Sequence, residues 1–115
     1  MAERVVTLDL TVKKTGSIKV AINPWERHAK VGDTIVFKPS GDITRYTIIL
    51  HARNPPFVGG KRKIVVGAAK VAKTTDVKGT AKLYTPYHYT VELYFNDPAG
   101  NERSVSVDPD MVIEA

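Results

Sequence analysis

Apolar and polar residues alternate at every second position through most of the 115-residue chain. That is the period of a β-strand with one buried face. Val6, Leu8, Leu10 and Val12 fall on one face, with Thr7, Asp9, Thr11 and Lys13 on the other. Lys14-Thr15-Gly16-Ser17 reads as a turn, after which Ile18, Val20 and Ile22 resume the alternation. Asn23-Pro24 stops that strand, because proline has no amide proton to give a ladder. Pro24-Trp25-Glu26-Arg27-His28 reads as a charged, turn-like stretch, and Val31-Gly32-Asp33 turns the chain into Thr34-Ile35-Val36-Phe37. Tyr46 to Leu50 is β-branched and expected to be central, and Asn54 to Gly60 must be loop. Ile64-Val65-Val66 predicts a short edge strand, guarded by Lys61, Arg62 and Lys63 against edge-to-edge pairing. Gly67 to Val77 has the makings of a helical turn or two, and Val77 to Leu83 those of a strand interrupted by Gly79. Tyr87 to Phe95 gives the strongest alternation of all. Asp97 to Asn101 turns it back into Ser104 to Val107, and Asp108-Pro109-Asp110 precedes a last short strand at Met111 to Ile113.

Short strands with turn signals about every eight to twelve residues predict an all-β fold. The expected architecture is one domain over residues 1–115, an antiparallel-rich β-sandwich of seven to nine strands. The pattern speaks against the parallel α/β classes, since no regular helical stretches separate the strands. Two packed sheets would bury Val6, Leu8, Leu10, Ile18, Val20, Ile22, Ile35, Phe37, Ile48, Leu50, Tyr89, Val91 and Leu93.

Composition narrows the chemistry. The chain has no cysteine, which removes disulfides, thiolate nucleophiles, iron–sulfur clusters and cysteine-ligated zinc. Met1 to Arg4 leads straight into the first alternating strand, without a signal peptide's apolar stretch or a membrane-spanning run. A cytoplasmic location is therefore expected, with no membrane partner. The net charge of +5 is unevenly spread: residues 53–82 hold eight Lys and Arg against Asp76 alone, whereas residues 83–115 hold six Asp and Glu against Arg103.

Three segments together resemble a cupredoxin-like domain. Val20 to Pro24 followed by Lys30 to Phe37 is similar to a strand that ends in a proline-containing turn before a Gly-Asp turn launches the next. The other two are Tyr46 to Leu50 followed by Pro55-Pro56-Phe57, and Tyr87 to Val91 with the later Asp108-Pro109-Asp110. The alternative is an immunoglobulin-like sandwich. The resemblance implies a fold without its usual copper chemistry. A type 1 centre needs two imidazoles and a thiolate, usually with a weak axial thioether. By the resemblance the thiolate would fall near Thr90 or Val91 and the first imidazole near Tyr46 or Thr47, and Met111 lies beyond the ligand loop. No cofactor is expected.

The remaining candidates are few. His28, His51 and His88 are the only metal-ligating side chains of borderline softness, and no two stand at the i, i+2 or i+4 spacing of a local site. Asp108 and Asp110 flank Pro109 and read as turn formers. No Gly-x-Ser-x-Gly elbow or phosphate-binding loop is present. Arg53, Lys61, Arg62 and Lys63 begin the basic segment, which offers weak, sequence-independent attraction to nucleic acid as one partner class. Trp25 and Phe57 stand in two apolar loops and make a candidate recognition surface. A non-catalytic module that binds a protein partner or a second copy of itself ranks first, ahead of a histidine-based metal protein or metal-dependent enzyme and of nucleic-acid binding through residues 53–82.

Overall fold

The structure, a computed structural model, describes residues 1–115 and contains strands, turns and bends but no helix. Nothing in it is a helix long and apolar enough to cross a membrane. There are ten strands, against the seven to nine expected: β1 (Glu3–Val12), β2 (Ile18–Asn23), β3 (Glu26–Lys30), β4 (Thr34–Gly41), β5 (Arg45–Leu50), β6 (Lys63–Val66), β7 (Ala72–Lys73), β8 (Pro86–Asn96), β9 (Glu102–Val107) and β10 (Asp110–Glu114). They form a four-stranded sheet in the order β2-β1-β4-β7 and a six-stranded sheet in the order β3-β10-β8-β5-β6, with β9 also paired to β8. The fold is an all-β sandwich, and it is antiparallel-rich: only β1 with β4 and β10 with β3 run parallel.

Three segments differ from their sequence reading. The stretch holding His28 is strand β3, not a turn; only Ala29 of it is fully turned into the core, so no alternation of apolar residues announces it. Val77 to Leu83 forms no strand. Val77 makes an isolated bridge with Phe57 and Leu83 one with Ile113, so this segment ties loops to the sandwich. Of the ambiguous stretch before it, only Ala72 and Lys73 pair regularly, against Phe37 and Val36 of β4.

Both sheets turn their apolar faces inward. Val6, Leu8 and Leu10 of β1, Ile35 and Phe37 of β4, Ile48 and Leu50 of β5, and Tyr89, Val91 and Leu93 of β8 are buried as their alternation requires. Ile18 and Val20 pack against this core but stay partly open, because β2 is the edge of its sheet. Phe37 and Tyr89 meet edge to face at 6.1 Å between centroids. Gly41 ends β4 with φ of 73°, where a Cβ would lie 2.3 Å from the Leu10 carbonyl oxygen. Asp33, in the turn before β4, is buried. Its carboxylate accepts hydrogen bonds from the Ala2 amide at 2.8 Å, Arg4 Nε at 2.9 Å and the Lys30 amide at 2.9 Å.

Candidate functional site

Register decides which polar side chains meet. Along β8 the inward positions are Tyr87, Tyr89, Val91, Leu93 and Phe95, so His88 and Thr90 face out. Leu50 of β5 lies opposite Tyr89 and the His51 amide donates to the His88 carbonyl at 3.1 Å, which puts the two histidines directly across from each other. Opposed side chains in an antiparallel pair have Cβ atoms about 5 Å apart. On the other side of β8, Asp110 lies opposite His88, and Glu26 of β3 lies beside Asp110. The sheet therefore carries a row Glu26–Asp110–His88–His51 across its outer face. His28 stands on the same face one step away, between Glu26 at 2.8 Å and Glu114 at 3.3 Å. Hydrogen bonds to Glu26 and then to Glu114 raise the affinity of His28 for its proton.

The tautomers of His51 and His88 follow from their partners. Thr90 Oγ1 has one proton and donates it to Asp108 Oδ1 at 2.6 Å. Its 2.6 Å contact with His51 Nε2 must then be donated by the imidazole, which leaves Nδ1 free. His88 Nδ1 donates to Asp110 Oδ1 at 2.5 Å, which leaves Nε2 free. Each ring is thus oriented by a carboxylate, directly in His88 and through a hydroxyl in His51. Asp108 and Asp110, read from sequence as turn formers, are the groups that fix these rings. An Asp-Pro-Asp step beside a strand bearing His and Thr on one face was the available signal.

His51 and His88 line a hollow of about 250 Å³ with Ala52, Lys82, Thr85, Pro86 and Tyr87. A second hollow, of about 220 Å³, shares Lys82 and Tyr87 and adds Asn54, Lys78 and Thr80. The Tyr87 hydroxyl accepts from the Lys82 amide at 2.8 Å and keeps its own proton to donate. No acidic residue lines either hollow. Arg62 Nη2 lies 3.5 Å from the His51 carbonyl, at the same end of the sheet.

The other sequence candidates are scattered. Phe57 is buried, at 2% exposure, and its bridge to Val77 makes it core rather than a recognition anchor; the paired Trp25 and Phe57 surface does not exist. Trp25 is half exposed, and its carbonyl accepts from the Asp110 amide at 3.1 Å, so it flanks the carboxylate–imidazole row. Lys63 pairs with Ile49 across β6 and β5, and Arg53 is exposed in the loop after β5. Lys61 and Lys73 border a separate hollow above Phe57, where Lys73 forms an ion pair with Glu3.

The donor set does not fit a type 1 copper centre. The chain holds no thiolate, Thr90 is committed to Asp108 and His51, and Val91 is in the core. No group of three or more His, Cys, Asp or Glu side chains gathers as a metal-binding set. No family model matches the chain, and no curated protein matches it in sequence.

Proposed function

We propose that the chain is a non-catalytic binding module of cupredoxin-like fold, whose ligand sits in the hollow between the end of β5 and the start of β8. The cupredoxin-like reading is supported by the crossing from one sheet to the other at Pro24, between β2 and β3, and by the Gly32-Asp33 turn that launches β4 beside β1. The observation that carries the binding reading is the juxtaposition of His51 and His88 in one hollow with Lys82, Thr85 and Tyr87. These are convergent polar groups on a partly apolar wall, the usual composition of a small-ligand site. A catalytic role is disfavoured by Thr90, the one hydroxyl hydrogen-bonded to an imidazole here. Both its proton and a lone pair are engaged, so His51 has no proton to take from it.

Binding is tested by recording ¹⁵N–¹H spectra of the labelled chain against a library of small charged and uncharged fragments. Hits should move the amides of His51, Ala52, Lys82, Thr85 and His88 together. Shifts scattered over both sheets, or none from any fragment, would remove the hollow as the site.

A further inference from the structure

We propose that the hollow binds a tetrahedral oxyanion, a phosphoryl or sulfuryl group, and that binding is accompanied by proton uptake on His51 and His88. The proposal rests on the hollow being the binding site. It names the ligand's chemistry and a regulation that the binding reading does not contain.

The charge around the hollow selects an anion. Lys82 lines it, Lys78 lines the hollow beside it, and Arg62 reaches the same end of β5. A divalent cation at the imidazoles would meet the Lys82 ammonium, with no carboxylate in the lining to offset it. Donors come from three segments, namely the end of β5, the start of β8 and the loop carrying Lys82 and Thr85. An acceptor with several oxygens pointing in different directions satisfies them together. At about 250 Å³ the hollow is smaller than typical drug-sized sites of roughly 300–1,000 Å³, and Ala52 and Pro86 leave apolar wall for a small substituent on the anion.

Proton uptake follows from the preset tautomers. His51 Nε2 and His88 Nδ1 already carry hydrogens committed to Thr90 and Asp110. An added proton goes to His51 Nδ1 or His88 Nε2, turning a lone pair that repels an oxyanion into a donor, with no existing hydrogen bond broken. The charged groups facing these rings are Asp110 from β10, Asp108 through Thr90, Arg62 from before β6, and Lys82 from the loop; Glu26 and the His28–Glu114 pair stand next along the sheet. The two nearest carboxylates hold the imidazolium from behind while the lysine draws the anion.

The test is a ¹⁵N–¹H titration with inorganic sulfate, whose charge does not change over this range, at constant ionic strength and at about pH 7.5 and about pH 5.5, a span over which imidazole side chains change charge. A parallel arm uses inorganic phosphate at matched pH, and the tighter of the two identifies the group preferred. Sulfate should shift the amides of His51, Lys82 and His88, and its affinity should rise about tenfold on acidification for one imidazolium, or about a hundredfold for two. Lys82→Ala should weaken binding about tenfold at both pH values. His88→Gln should reduce the pH dependence to the part due to His51 alone, while Lys19→Ala, on the edge of the other sheet, should leave binding unchanged. Thermal midpoints and spectral dispersion show that each variant is folded. Equal affinity at the two pH values, shifts away from the hollow, or the same loss from Lys19→Ala as from Lys82→Ala would overturn the proposal. Uncharged fragments that bind the hollow when neither anion does would overturn the oxyanion and leave the binding reading standing. Silence from anions and fragments alike would remove both.

Discussion

Replacing Asp33 by Asn measures how strongly one turn ties β1 to β4. Burial by itself would push the Asp33 carboxyl up. Hydrogen bonds from the Ala2 amide, the Arg4 guanidinium and the Lys30 amide outweigh it and hold the group down at about 2, against an ordinary 3.8. At about 1.4 kcal/mol per unit, that difference corresponds to roughly 2–3 kcal/mol of folded-state stability at neutral pH. Asn keeps the shape, loses the charge, and puts an NH₂ where one carboxylate oxygen accepts, so a loss of about 3 kcal/mol is expected. The sign of the pH dependence is fixed by the depressed value. The stabilisation is complete above the unfolded pKa near 4 and disappears as pH falls through about 2. Urea denaturation of both proteins across this range, read as the difference between them, removes the contribution of every other carboxylate. The gap should be about 3 kcal/mol at neutral pH and under about 1 near pH 2. A gap below about 0.5 kcal/mol at neutral pH, or one that persists undiminished in acid, would refute the account.

Tyr89 has a fully buried hydroxyl with no hydrogen-bond partner; Tyr89→Phe should therefore stabilise the fold by about 1–2 kcal/mol, raising the thermal midpoint by several degrees in a calorimetric scan. Gly41→Ala should cost more than about 2 kcal/mol in urea denaturation, since the residue has positive φ and its Cβ would strike the Leu10 carbonyl. Phe57→Ala should cost about 3–5 kcal/mol as a core deletion, whereas Trp25→Ala should cost under about 1, and equal losses in chemical denaturation would place both residues in the same environment.

Much of the sandwich is legible in the chain. The alternation over Val6 to Val12 and Tyr87 to Phe95 assigns inward and outward faces that burial follows residue by residue. The missed strand, β3, has Glu, Arg, His and Lys around a single inward alanine, and its pairing rests on backbone hydrogen bonds to β10, some eighty residues on. Phe57 misleads for a related reason. Two prolines before it and two glycines after it have loop composition, and they do form a loop. The loop folds over the core, however, and is held there by Val77, so its aromatic ring points inward. Asp108 and Asp110 flank no chain reversal: β9 and β10 run on in the same direction along one side of β8, and the two side chains serve Thr90 and His88.

By itself the sequence determined the period of two, and with it the all-β class, the inward faces of β1 and β8 and the outward aspect of His88 and Thr90. It also removed thiolate chemistry, because a chain without cysteine has none to offer. Only the tertiary structure decided that His51 stands beside His88, that each ring has a carboxylate behind it, and that Lys82 and Thr85 line the same hollow while Lys61 and Lys73 line another. The division has a physical cause. Which face a side chain takes is a local property of the pleat, written in neighbouring residues. Which polar groups share a hollow depends on the register of strands far apart in the chain, and that register is set by the packing of the apolar faces, on which the polar groups themselves have almost no vote.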